Sequence, residues 1–331
     1  MDYYRKELYF DVEFQQYLQF KFFEQWYTLK NYANQKGIQL IGDIPIYVAM
    51  DSADVWAHPE LFQLDEQNVP VAVAGCPPDG FSATGQLWGN PLYRWDYHRN
   101  TGYQWWISRL WYCFRLYDVV RIDHFRGFDE YYSIPYGEDS AINGHWEKGP
   151  GIDLFRQVEQ NLGWHEVIAE DLGYVTDSVR WLVKNSGFPG MKVLEFAFDS
   201  RDSGSANDYL PHNYIENCVA YTGTHDNETI VGWFDSIMEN EQQMARDYLC
   251  DNYTPKELLY KSFISTVMRS NAKTCIIPMQ DYLGYDNSCR MNKPSTVGIN
   301  WRWRLTGEEL TEELKQEILG MTKRYGRMNW N

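Results

Sequence analysis

Apolar residues recur every four positions from Phe14 through Leu18 and Phe22 to Trp26, with Gln, Lys and Glu between them. That spacing predicts one long amphipathic helix over residues 11–36, and Gly37 stands where a helix C-cap is expected. A short apolar strand follows, opening the stretch 38–48. Five more apolar runs read as strands, at 119–123, 167–171, 191–198, 218–222 and 274–279. Helical periodicity fills 103–117, 151–162, 176–186 and 255–271. Strands that alternate with helices predict a parallel sheet covered by helices. The stretch from Ala74 to Tyr93 breaks the pattern: its Gly and Pro density argues against a helix or an interior strand. It reads as a long ordered loop, the kind that carries function. No linker or fixed repeat interrupts the chain, so the expectation is one domain with inserted loops.

Charge and composition narrow the function. The 331 residues hold 30 Lys and Arg against 46 Asp and Glu, a net charge of −16. A chain this acidic is a poor match for nucleic acid or an anionic membrane. No apolar run approaches the roughly 18 residues of a membrane span, and the first residues lack the apolar core of a signal peptide. The expected compartment is the cytoplasm. The six cysteines have no CxxC spacing, which argues against zinc and thioredoxin-type sites. Aromatic residues make up 17% of the chain. Many belong in the core, but the excess also suits a sugar ligand, whose C–H faces stack on rings.

Candidate chemistry lies at strand ends. Asp43, Asp123 and Glu170 close three of the runs, and Asp226 lies just past a fourth. Both a (β/α)8 barrel and a doubly wound sheet place chemistry at carboxyl ends. The first strand is followed by no glycine-rich phosphate loop, so the barrel is preferred, with six of its eight strands visible. Arg121 and Asp123 alternate onto one side of their strand. A neighbouring Arg keeps an Asp ionised, as a nucleophile requires, although the same spacing also describes a structural ion pair. Glu170 ends an apolar strand, where a raised pKa suits a general acid, or it caps the next helix. His225-Asp226 suits paired sugar hydroxyls, or is a polar turn closed by Asx hydrogen bonds. Two carboxyl groups about 5–5.5 Å apart suffice for retaining glycoside chemistry. Phe81, Trp88 and Tyr93 are a sugar wall or a plug that pins the loop.

At these residues the chain resembles a known family, the 4-α-glucanotransferases of glycoside hydrolase family 77, in the α-amylase clan. The motifs are Gly42-Asp43-Ile44-Pro45-Ile46-Tyr47-Val48-Ala49, the loop from Pro77 to Tyr93, and Arg121-Ile122-Asp123-His124-Phe125-Arg126-Gly127. Ala169-Glu170-Asp171-Leu172-Gly173, Thr224-His225-Asp226-Asn227 and Asn300-Trp301-Arg302-Trp303-Arg304 complete the set. The resemblance implies transfer of α-1,4-glucan segments between maltooligosaccharides through a covalent glucosyl-enzyme. It implies Asp123 as nucleophile, Glu170 as acid/base and Asp226 as the carboxylate holding the 2- and 3-hydroxyls. Arg121, His124, His225, Asp43, Asp79, Phe81 and Trp88 match its supporting, substrate-side residues. It implies no metal or organic cofactor. Where the family reads Thr-Pro-Gly-Thr after Met291-Asn292, this chain has Lys293-Pro294-Ser295-Thr296. The match covers the C-terminal two-thirds of the family, with the strands fitting the third to the eighth. The sequence identifies no protein partner; the one candidate is a segment like the family's N-terminal part. An α-glucan hydrolase of the same clan and an inactive glucan-binding remnant are the competing expectations.

Overall fold

A computed structural model describes residues 2–78, 82–173, 175–200 and 205–328. The chain forms two compact units. One comprises Met1–Asp171 with Val175–Phe188, the other Leu172–Tyr174 with Pro189–Asn331.

The first unit holds strands β1 (Ile41–Ile44), β2 (Ala72–Cys76), β3 (Gln86–Pro91), β4 (Val119–Ile122), β5 (Glu130–Pro135), β6 (His145–Lys148) and β7 (Glu166–Ala169). β4 lies between β1 and β7, parallel to both. All four residues of β4 are buried, which is why its sequence is an apolar run rather than an alternation. The helix Gln104–Leu116 feeds β4 and the helix Ile152–Leu162 feeds β7, burying Trp106, Leu110 and Leu154 in one core with Phe125 and Phe128. Gly42 is required by the close approach of Tyr117: a Cβ there would fall within its ring. Gly42→Ala is expected to lower stability by about 1–3 kcal/mol through overpacking, measurable from the midpoint of chemical denaturation.

The Ala74-to-Tyr93 stretch corrects an expectation. It contains two strands, and β2 is interior to an antiparallel sheet ordered β3-β2-β5-β6. An interior strand is possible here because Gly75 has no side chain: a Cβ would strike the Gln86 carbonyl of β3. Pro77 and Pro78 fall after β2, where no ladder donor is needed.

The long helix is Tyr9–Gln35. Gly37 takes φ +75°, and its N–H donates to Asn34 while Ile38 N–H donates to Ala33, the paired bonds of a Schellman cap. The apolar stripe is not buried as its periodicity predicts. Phe14, Leu18 and Phe22 are exposed, and the helix docks through its C-terminal half, where Trp26 donates to the Leu116 carbonyl at 2.9 Å.

The second unit holds parallel strands β8 (Gly190–Val193), β9 (Cys218–Tyr221) and β10 (Thr274–Ile276), with β9 in the middle. All six predicted strands are therefore present, three in each unit. The run read as one strand over 191–198 stops at Val193 and turns into a 3-10 helix, Leu194–Phe198. Ile230–Ser236 and Tyr260–Met268 cover the unit's core, which contains Phe198, Trp233 and Phe263.

Candidate active site

In the first unit the parallel register sets Asp43 of β1 opposite Arg121 of β4. Arg121 Nη1 donates to both Asp43 oxygens, at 2.8 and 2.6 Å, and lies 3.0 Å from Asp123 Oδ1. Burial opposes the guanidinium charge, but Asp43, Asp123 and Glu170 outweigh it and raise its pKa above the ordinary arginine value. Arg121 is thus a fixed cation between two carboxylates. The structural ion pair and the activated carboxylate, alternatives in the sequence, are one arrangement.

Asp123 N–H still donates to the Ile44 carbonyl at 2.9 Å, so the strand pairing runs to the residue that carries the carboxylate. His124 then enters the left-handed region at φ 51°, a costly conformation for a residue with a side chain. It opens the turn Phe125–Phe128, whose two phenylalanine rings are fully buried and anchor it. Glu170 is locked to this turn. Its N–H donates to Ile122, its carbonyl accepts from Phe125 N–H at 2.9 Å, and its Oε2 accepts from His124 N–H at 2.7 Å. Ile122 is paired with Ala169, so Asp123 and Glu170 are successive to a matched pair. Adjacent strands run about 4.8 Å apart, the scale of a retaining carboxyl pair.

The His124 ring meets Trp88 edge to face at 4.9 Å. Burial, then Arg126, lowers its pKa to about 3, although part of the residue stays in solvent; the imidazole is neutral at ordinary pH. Trp88 stands on β3, 37% exposed, with Tyr47 beside it at 6.3 Å. Tyr93, in contrast, is fully buried and acts as the plug, not as a sugar wall. Its hydroxyl donates to Ile46 O at 2.8 Å. Arg109 donates to Pro45 O at 2.6 Å, and Asn90 to Val48 O at 2.9 Å. These three pin the turn after β1. Arg109 carries one signal in the sequence, a cation close behind Trp105 and Trp106, over whose rings it lies. Asp79 and Phe81 lie outside the described residues.

In the second unit the turn after β9 is closed by Asn227, whose Oδ1 reaches back to accept from Thr224 N–H at 3.0 Å and from its hydroxyl at 2.7 Å. The turn presents His225 and Asp226, with His225 Nε2 3.2 Å from Asp226 Oδ2. Asn292 Nδ2 donates to Asp226 Oδ1 at 2.6 Å, and Arg290 Nη2 to its carbonyl at 2.6 Å. Trp301 packs on His225 at 5.2 Å, and its N–H donates to Met291 O at 2.7 Å. Asn292 and Arg290 are therefore site residues that local pattern did not disclose. The departure that follows them is visible in the backbone: Ser295 takes φ 63° where the family's glycine would do so at least cost.

Among the described residues, no group of three or more His, Cys, Asp or Glu side chains is arranged for a metal ion. No helix among them is long and apolar enough to cross a membrane, and no disulfide forms among them.

The sequence model of the 4-alpha-glucanotransferase family matches residues 1–311. The 4-alpha-glucanotransferase of Clostridium butyricum is 49% identical over 98% of this chain and 66% of its own length. That of Streptococcus pneumoniae is 46% identical over 99% of this chain and 64% of its own. The chain thus spans about two thirds of the length of these relatives. In structure it is similar to an amylomaltase from Streptococcus agalactiae, solved in complex with acarbose, with a TM-score of 0.93 and 44% identity. That match covers 98% of this chain and 65% of the other. The six parallel strands, three in each unit, with their covering helices make a mixed α/β fold similar to that of the amylomaltase.

Proposed function

This chain belongs to the 4-alpha-glucanotransferase family, and from that membership we propose that it transfers α-1,4-glucan segments between maltooligosaccharides by a retaining double displacement. The observation that carries the reading is the placing of Asp123 and Glu170 at matched ends of adjacent strands, with Arg121 beside the first and His124 N–H on the second.

In the first step Asp123 attacks the anomeric carbon. The bond to the leaving O4 breaks, and Glu170 gives that oxygen its proton. In the second, the Glu170 carboxylate takes the proton of an acceptor 4-hydroxyl. That oxygen attacks the same carbon and expels Asp123, regenerating both groups. Asp226 binds the 2- and 3-hydroxyls, oriented by Asn292 and His225. Arg121 and Asp43 act through Asp123, because their charges are spent on one another and on it. His124 offers a neutral imidazole on the substrate side. The protein works in the cytoplasm and uses no cofactor.

Water competes with the acceptor for the ester. The Trp88 ring, which is exposed, favours a sugar by positioning it and by displacing solvent. Trp88→Ala is expected to lower the ratio of transfer to hydrolysis about three- to tenfold, the scale of one aromatic contact. Product ratios in a maltotriose reaction measure it, and an unchanged ratio and rate would remove Trp88 from this role.

The reading is tested by incubating the purified chain with maltotriose and separating the products. Transfer yields glucose with a ladder of longer oligosaccharides. Maltose and glucose alone would instead mark a hydrolase, and binding without turnover an inactive remnant. The proposed partner is a segment of the kind that makes up the remaining third of the relatives, seated on the Phe14–Leu18–Phe22 stripe; adding it is expected to raise turnover.

A further inference from the structure

Beneath the loop that carries His225 and Asp226 lies a cluster of buried acids. Glu195 stands in the turn after β8 and is 6% exposed. Its N–H donates to the Thr222 carbonyl at 3.3 Å, which ties it to the end of β9. Its Oε1 has no hydrogen-bond partner among the described residues. A Cβ on Gly223 would collide with that oxygen, so the carboxyl rests directly against the Gly223 backbone. Asp281, in the short helix Met279–Tyr282, is 1% exposed. It accepts from the Thr222 hydroxyl and from Ile230 N–H at 2.8 Å. Thr222 and Gly223, where the loop leaves β9, are therefore seated on two buried acids.

The charged groups that face Glu195 are Asp281, Glu228 and the Arg290 guanidinium. Arg290 also holds the Asp226 carbonyl, so the acid cluster and the sugar-binding carboxylate share a tether. A carboxylate in this setting would be desolvated, incompletely hydrogen-bonded and beside other acids. The neutral acid is the form such a site favours.

We propose that Glu195 is a positioning residue for the Gly223–Asn227 loop: it works as a neutral acid on which Gly223 seats, and its ionisation unseats Asp226 and weakens sugar binding. The inference rests on the reading of Asp226 as the carboxylate that holds the sugar hydroxyls. Burial first, then Asp281 and Glu228, push the Glu195 carboxyl well above the usual range, with Arg290 and Asn227 offsetting part of this. Asp281 is itself pushed up to about 6 by burial, against the Ile230 N–H and the Thr222 hydroxyl. A carboxyl raised by folding binds its proton more tightly in the folded state. The stability it contributes is complete below its ordinary value of 4.5 and is lost as pH climbs through the raised one.

The test has two readouts. Melting temperature is followed from about pH 5 to about pH 9 for the chain and for Glu195→Gln, a neutral replacement of the same shape. Maltoheptaose affinity is followed by calorimetry over the same range, in a Glu170→Gln background that prevents turnover, with and without Glu195→Gln. The parent is expected to lose melting temperature with rising pH, and Glu195→Gln to lose less. Affinity is expected to fall about tenfold for each pH unit above the titration point in the parent, and by less than about twofold overall with Glu195→Gln. Glu195→Met, a second neutral variant, must show the same flattening, and steep dependence there would overturn the proposal. Parallel melting curves would overturn the buried neutral acid. A flattened melting curve with equal loss of affinity would overturn the positioning role. Absence of sugar binding by both proteins at every pH would instead defeat the functional reading, and the positioning role with it, whatever the melting curves show.

Discussion

Asp123→Asn is expected to reduce glucan transfer from maltotriose about 10⁴-fold or more, with little change in sugar affinity. The amide keeps the size of the side chain and removes the nucleophile, and loss of a nucleophile in a covalent mechanism has effects of this order. The surroundings make the variant a clean one. Arg121 retains its two bonds to Asp43, so no cation is stranded. The Asp123 N–H bond to Ile44 does not depend on the side chain. Stability is therefore expected to change by no more than about 1 kcal/mol. Initial rates, binding calorimetry and denaturation curves on one preparation check all three. A loss of activity matched by a loss of folding would return Asp123 to a structural role.

Glu170→Gln is the second large effect. Transfer from maltotriose is expected to fall about 10³-fold, within the range for removal of a general acid–base group. The amide oxygen still accepts from His124 N–H, so the turn that carries Asp123 keeps its geometry. The distinguishing result lies in the choice of donor. Maltosyl fluoride expels a leaving group that needs no proton. With it, Glu170→Gln is expected to release one equivalent of fluoride rapidly and then stall, because the second step lacks its base. Equal slowing with both donors would mean that Glu170 holds the site together rather than moving a proton.

Much of this site was legible because β4, β7 and β9 are almost wholly buried. Such strands are short apolar runs, and the first charged residue after each marks its end. Asp123 and Glu170 sit where that rule places them, while Asp43 lies inside β1, one residue before its end. The Arg121–Asp123 pairing followed from strand alternation alone. Other features had no local signature. Asn292 and Arg290 reach Asp226 across more than sixty residues of sequence. β2 was hidden because Gly75 reads as a strand breaker until the closeness of the Gln86 carbonyl is known. The run Met191–Phe198 reads as an apolar strand, yet the chain turns after Val193. That turn buries Glu195, which periodicity had not singled out. The stripe of the long helix follows an amphipathic pattern, yet Phe14, Leu18 and Phe22 stay exposed.

The covalent intermediate is the most direct test of the account. Glu170→Gln is mixed with maltosyl fluoride, quenched in acid and digested, and the peptides are weighed. The peptide containing Asp123 is expected to gain the mass of one maltosyl group, and Asp123→Asn in the same background to abolish the gain. Rapid fluoride release without any adduct, or an adduct on another residue, would contradict it.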